Sequence, residues 1–190
     1  YVYNDNINYR TTAGATRSIN NESGSNGAFI APMTLDSNLD MLYSDYSTSA
    51  GVYQIRRYTN LKSGTVTKTI LTNALLASSP TALTVSKYTT TSTVLLTGLR
   101  NGKLLKVTGA NSGFPAPVWT DITGSGFVGS ISDVEYGQSE SEIFVTMHNY
   151  NVISVWYTSN GGTTWVNKEG NLPDLPVKCI LQNPLNTNEV

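Results

Sequence analysis

A repeat of about 49 residues constrains this chain more than any other feature. Gly162 sits in Thr158-Ser159-Asn160-Gly161-Gly162-Thr163-Thr164-Trp165. Gly113, in Ala110-Asn111-Ser112-Gly113, lies 49 residues earlier, and Gly64, in Asn60-Leu61-Lys62-Ser63-Gly64-Thr65, another 49. Gly14, in Thr11-Thr12-Ala13-Gly14-Ala15-Thr16, precedes Gly64 by 50. A second series keeps the same beat in the strand-like runs at 31–35, 81–85, 130–134 and 176–180. Within it Leu35, Val85 and Val134 fall 50 and 49 residues apart. Two independent markers on one period describe a stack of like units, each too small to bury its own apolar face.

Within a period the texture is that of short strands joined by turns. In the clearest repeat, Ser130 to Glu135 is a predicted first strand and Tyr136 to Ser141 a polar turn. Ile143 to Met147 is a second strand rich in β-formers, Asn149-Tyr150-Asn151 a turn, and Val152 to Tyr157 a third strand. The glycine-bearing turn and a fourth strand, Thr164 to Asn167, complete it. The preceding repeat reads alike, with strands at Thr93–Thr97 and Lys103–Val107 around Arg100-Asn101-Gly102, a two-residue hairpin signal. The repeat before that places its middle strands at Met41–Tyr43 and Gly51–Ile55. No segment sustains a helical period; Leu71 to Ser79 comes nearest and Pro80 ends it.

Four short antiparallel strands every 40 to 50 residues define an all-β fold of the propeller kind. The expected architecture is a partial β-propeller. Residues 1–27 end one blade, 28–77, 78–126 and 127–175 form three more, and 176–190 open a further one. An open arc leaves bare strand edges and a bare sheet face. The expected partners are therefore further blades of the same polypeptide or a partner chain.

The segment Thr158 to Trp165 resembles the Asp box (BNR repeat) of sialidase-like, sortilin-like and xyloglucanase-like propellers: Ser or Thr, any, Asp, any, Gly, any, Thr, Trp. Asn160 stands where Asp is usual, and it keeps a carbonyl acceptor and tolerance for turn geometry. The other copies are worn. Trp119 is displaced beyond Asn111 and Gly113, the repeat at Gly64 lacks a Trp, and Arg17 replaces it after Gly14. The stretch Leu181 to Val190 is similar to the link between first and second strands in such repeats, and the general texture resembles large exported proteins of the Bacteroidetes type. The resemblance implies a structural role for Thr158, Asn160, Gly162, Thr164 and Trp165, as a staple between third and fourth strands, and not a ligand site.

Chemistry is sparse. Charged residues make up 13% of the chain and the net charge is −1, so no basic field is present to hold nucleic acid. No apolar run is long enough to span a membrane as a helix. Cys179 is the single cysteine, so no intrachain disulfide or cysteine metal site exists, and its apolar setting predicts a small buried residue. His148 is the single histidine, which argues against zinc and predicts a solvent-facing strand end. Asp36-Ser37-Asn38-Leu39-Asp40 mimics the start of a calcium loop but has Met41 at the glycine position, and reads as a polar turn. Asp133 and Glu135 lie two apart on a first strand and share a face; paired carboxylates are the machinery of glycoside hydrolysis, but here they read as a solvated channel wall. Arg10, Arg17, Arg56, Arg57 and Arg100 do not fall where sialidases hold a carboxylate. Asn21-Glu22-Ser23 fits a glycosylation acceptor.

No catalytic residue, metal or cofactor follows from these residues. The expectation is a secreted or cell-surface, non-catalytic propeller segment: a scaffold or binding module for glycan or protein. The alternative is part of a larger, xyloglucanase-like glycoside hydrolase whose catalytic residues lie outside this chain; a sortilin-like capture domain is a third possibility.

Overall fold

The computed structural model describes residues 2–3, 6–22, 24, 26–62 and 65–190. Gly64 and Ser23 lie outside the described residues, so the second marker glycine and the glycosylation triplet are not placed. All regular structure among the described residues is β, in four antiparallel sheets that follow one another along the chain. The first sheet holds β1 (Val2–Tyr3), β2 (Asn6–Arg10) and β3 (Thr16–Asn20). The second holds β4 (Met33–Asp36), β5 (Met41–Asp45), β6 (Ile55–Thr59) and β7 (Thr67–Leu71). The third holds β8 (Pro80–Val85), β9 (Val94–Leu99), β10 (Leu104–Thr108) and β11 (Val118–Asp121). The fourth holds β12 (Ile131–Tyr136), β13 (Ile143–Met147), β14 (Val155–Thr158) and β15 (Val166–Asn167). Each sheet is a meander whose strands pair in chain order. Gly14, Gly113 and Gly162 all fall between the last two strands of their sheets.

The sheets stack face to face because their strands are apolar on both sides. In β9, Leu95 packs with Tyr43, Ile55 and Leu83 toward the second sheet, while the adjacent Leu96 packs with Ile131, Val134 and Val145 toward the fourth. Successive strand residues point to opposite faces, so a strand buried throughout belongs to a sheet covered on both sides. A smaller cluster of Ile7, Ile19, Leu42, Tyr58 and Leu61 joins the first sheet to the second. The leading strands come together, β8 lying beside both β4 and β12, while β7, β11 and β15 make no comparable contact with one another. The stack therefore fans from an inner edge to an outer one. It does not close into a ring.

Bonds between sheets repeat at the offset of the sequence period. Val85 N donates to Thr34 Oγ1 (3.3 Å), Thr84 Oγ1 to the Val134 carbonyl (2.5 Å), and Tyr43 Oη to Thr93 Oγ1 (3.1 Å). Their partners lie 51, 50 and 50 residues apart in sequence, so one repeat unit is one sheet step.

Several strand limits differ from expectation because side chains claim the backbone first. The third strand of the second sheet starts at Ile55, not Gly51. A turn closed by Thr48 N to the Val52 carbonyl (2.9 Å) occupies the earlier residues, and Asp45 accepts from Ser47 N (3.0 Å) beneath it. In the fourth sheet β14 starts at Val155, not Val152, because the Glu169 carboxylate takes the Ser154 amide. β15 starts at Val166, not Thr164, whose amide is bonded to Asn160 Oδ1. The Asn101-Gly102 hairpin is a three-residue loop closed by Leu99 N to the Lys103 carbonyl (2.9 Å). Of its residues Gly102 alone is left-handed, at φ 83°, where a two-residue primed turn needs two such positions. Pro176–Ile180 forms no strand. It nevertheless runs along β12, with Ser132 Oγ donating to the Val177 carbonyl (2.5 Å) and Ile180 N to Asp133 Oδ2 (3.0 Å).

Candidate functional site

The turn between β14 and β15 is closed by its own side chains. Thr158 Oγ1, on a residue only 1% exposed, accepts from the amides of Asn160 (3.2 Å) and Gly162 (3.1 Å) and donates to Asn160 Oδ1 (2.8 Å). Asn160 Oδ1 also accepts from Thr164 N (2.9 Å), and its Nδ2 donates to Thr164 Oγ1 (2.8 Å). Asn160 thus supplies the acceptor that an Asp would, plus a donor that an Asp lacks. Gly161 and Gly162 are left-handed at φ 68° and 92°. A Cβ on Gly162 would meet Ile122 Cβ at 2.7 Å, so both backbone geometry and space require glycine there. Trp165 Nε1 donates to the Ile122 carbonyl (2.9 Å), and its ring packs edge-on to Phe127, 4.8 Å between centroids. Ile122 directly follows β11 of the third sheet. Thr158, Asn160, Gly162, Thr164 and Trp165 thus lie together in one hairpin, and that hairpin is fastened to the preceding sheet.

The worn copy at Asn111 is held differently. Asn111 Oδ1 accepts from Thr93 N (2.9 Å) and Ser92 Oγ (3.1 Å) on the adjoining loop. The buried Arg57, from β6 of the second sheet, donates to the carbonyls of Ala110 (2.7 Å) and Ser112 (3.1 Å). Sequence reasoning treated Arg57 only as a member of a scattered arginine set. It lies two residues past the expected strand Gly51–Ile55, so no strand pattern marked it as buried; the observed strand, Ile55–Thr59, carries it.

The acids divide into structural and open groups. Asp36 is buried, accepts from Thr93 Oγ1 (2.6 Å), and with its other oxygen from the amides of Asn38 and Leu39 (both 3.1 Å). It thus caps the polar turn read at 36–40. Asp133 accepts from Val134 N (2.9 Å) and Ile180 N (3.0 Å). Ser132 is bulged between paired residues of β12, and Asp133 and Glu135 still share a face, opposite Val134 and Tyr136. Burial pushes the Glu135 carboxyl up from its ordinary range; the charge of Asp133 adds to this and Lys87 opposes it.

Glu135 borders a cleft of about 460 Å3 at the ends of β8 and β12, with Lys87, Tyr88, Gln138, Leu181 and Gln182 among its walls. Tyr88 donates to the Gly137 carbonyl and stands edge-on to Tyr136, 6.3 Å between centroids. Beneath it Glu140 accepts from Ser86 Oγ (2.8 Å) and Thr89 Oγ1 and pairs with Lys106 (3.3 Å). Burial raises the Glu140 carboxyl, but these bonds outweigh it and hold it below its ordinary range.

His148 is exposed, as expected, directly after β13, with Lys178 Nζ 2.6 and 2.8 Å from its ring nitrogens. Cys179, expected to be buried, is exposed. Its segment stays out of a strand, and no further sheet packs over it among the described residues.

By fold and by these hairpins, the chain is an all-β protein of repeated antiparallel sheets stapled one to the next. No family model matches it, and no curated protein matches it.

Proposed function

We propose that this chain is an arc of an Asp-box β-propeller and serves an exported protein as a non-catalytic scaffold, offering a glycan the cleft beside Glu135. The observation that carries the reading is the state of the one acidic pair on a leading strand. Asp133 is bonded by two backbone amides, leaving Glu135 to face the cleft without a second free carboxylate beside it. Hydrolysis of a glycosidic bond takes two carboxylates acting across it. One carboxylate, a tyrosine ring and side-chain amides instead suit hydroxyl recognition and stacking on a sugar face. The fanned stack and the hairpin at 158–165 support the propeller part of the reading. The low charge and the wealth of Ser, Thr and Asn support export.

A glycan array probed with the whole chain tests this. Binding that falls at least tenfold in Tyr88→Ala and in Glu135→Gln is the expected result. No binding to any glycan contradicts it. Release of reducing sugar from a bound oligosaccharide would favour the glycoside hydrolase alternative.

A further inference from the structure

We infer that Glu140 is a positioning residue for the cleft beside Glu135: its carboxylate holds the turn that presents Lys87 and Tyr88 to a bound glycan. The inference rests on the proposed function above and extends it to a residue outside the cleft walls.

The chain leaving β8 runs Ser86-Lys87-Tyr88-Thr89. Lys87 and Tyr88 wall the cleft, and the residues on either side of them are the ones Glu140 holds. One oxygen, Oε2, accepts from Ser86 Oγ (2.8 Å) and from Thr89 Oγ1, so a single atom brackets the pair. The other, Oε1, lies 3.3 Å from Lys106 Nζ on β10, which steadies the carboxylate from the opposite side. Ser86 is 1% exposed and donates its amide to the Val94 carbonyl (2.8 Å), while its Oγ accepts from Tyr88 N (3.2 Å). Tyr88 is 40% exposed. An open aromatic is thus mounted on a buried anchor.

Tyr88 is held at its far end as well, its hydroxyl donating to the Gly137 carbonyl. Gly137, Gln138 and Glu140 belong to one turn, between β12 and β13. It is closed by Gly137 N to the Glu142 carbonyl (2.9 Å) and Gln138 N to Glu142 Oε2 (2.9 Å). Gly161 N, from the hairpin at 158–165, donates to the Ser141 carbonyl of the same turn (2.8 Å). The hairpin that staples two strands therefore also anchors the turn that builds the cleft.

The clamp is not a feature of the repeat. The corresponding turn of the third sheet, 86–92, contains no acid with which to reach back to the turn at 37–40. The turn that Glu140 does clamp is the one carrying the tyrosine of the cleft. A lysine and a tyrosine at a surface lose rotamer freedom when a ligand docks on them, and that cost falls when the free protein already holds them in place. Hydroxyl donors to a carboxylate are short and strong bonds, suited to such a hold.

Titration calorimetry with the best-bound oligosaccharide of the array reads this. Glu140→Ala is expected to weaken binding about tenfold, the scale of ordering two side chains on docking. Glu140→Gln should stay within about threefold of the unsubstituted chain, since its amide oxygen still accepts from Ser86 and Thr89. Ser86→Ala combined with Thr89→Val should reproduce the tenfold loss, about the same size with the carboxylate left in place. In a Tyr88→Ala background the loss from Glu140→Ala should shrink to at most about threefold, because the ring it presents is gone. Without sugar, the Tyr88 amide should exchange faster in Glu140→Ala. If Glu140→Ala binds normally while Tyr88→Ala does not, the inference is overturned and the glycan reading stands. A loss of equal size in both backgrounds, or Glu140→Gln as weak as Glu140→Ala, overturns it likewise. If the unsubstituted chain binds no oligosaccharide, the glycan reading falls and the inference with it.

Discussion

The hairpin at 158–165 and its counterpart at 109–118 do one job in two ways. Both turn the chain from the third to the fourth strand of a sheet, and both are fastened to the sheet before. At 158–165 the turn is closed from within by Thr158 and Asn160, and a single aromatic, Trp165, reaches back to Ile122 and Phe127. At 109–118 the threonine is lost and the tryptophan is displaced to Trp119, and the carbonyls of Ala110 and Ser112 are satisfied from the preceding sheet by Arg57. A worn motif thus keeps its fold when a neighbour supplies the donors. The cost is a buried guanidinium whose place depends on a strand some fifty residues away.

That contrast can be broken at either end. Trp165→Ala should have the largest effect, about 3 kcal/mol by urea unfolding, since it removes both an aromatic contact and a cross-sheet bond. Trp165→Phe should recover most of it, retaining packing while losing the bond to the Ile122 carbonyl. Arg57→Met comes next, at about 2 kcal/mol, because it keeps the apolar stem but leaves two carbonyls without their donor. Its amide-exchange signature should fall on 109–113 and spare 158–165. Asn160→Ala should cost about 1 to 2 kcal/mol, and Asn160→Asp no more than about 0.5, as the acceptor survives. Arg57→Met and Asn160→Ala should be additive in the double variant, because the two hairpins share no partner.

The smallest effect concerns how the first sheet is held to the second. Glu22 bonds Arg56 Nη1 (2.7 Å), Lys68 Nζ (2.7 Å) and Tyr46 Oη (2.8 Å), with the Arg56 guanidinium 3.2 Å above the Tyr46 ring. Burial raises the Glu22 carboxyl, but Lys68, Arg56 and Tyr46 outweigh it and hold it at about 2, against an ordinary value of 4.5. A lowered carboxyl stabilises the fold above its unfolded value and stops doing so as pH falls through its folded value. Its contribution is therefore complete above about pH 4.5 and drains away toward pH 2. Glu22→Gln should flatten the stability profile in that window, modestly, since the group is partly exposed.

Much of the fold was legible because the period is written twice, in turn glycines and in leading strands. Ile143–Met147 was bounded as observed, since a run of five β-formers between polar turns admits little else. Gly51–Gln54 and Val152–Ser154 were misread because their strand-like residues sit where Thr48, Asp45 and Glu169 divert the backbone, and such bonds leave no trace in hydropathy. Cys179 was misread for another reason: its apolar neighbours predicted burial, but burial also takes a covering sheet. The hairpin at 158–165 was visible as a motif. The roles of Arg57 and Asp133 were not, since both depend on which sheets become neighbours.

Residue-resolved amide exchange by NMR measures the account's main claim most directly. If each repeat is one sheet of a fanned stack, the slowest amides recur in β5, β9 and β13, whose first residues lie 53 and 49 apart, with faster turns between them. Protection without that recurrence, or a run of protected amides with helical connectivities, would contradict it.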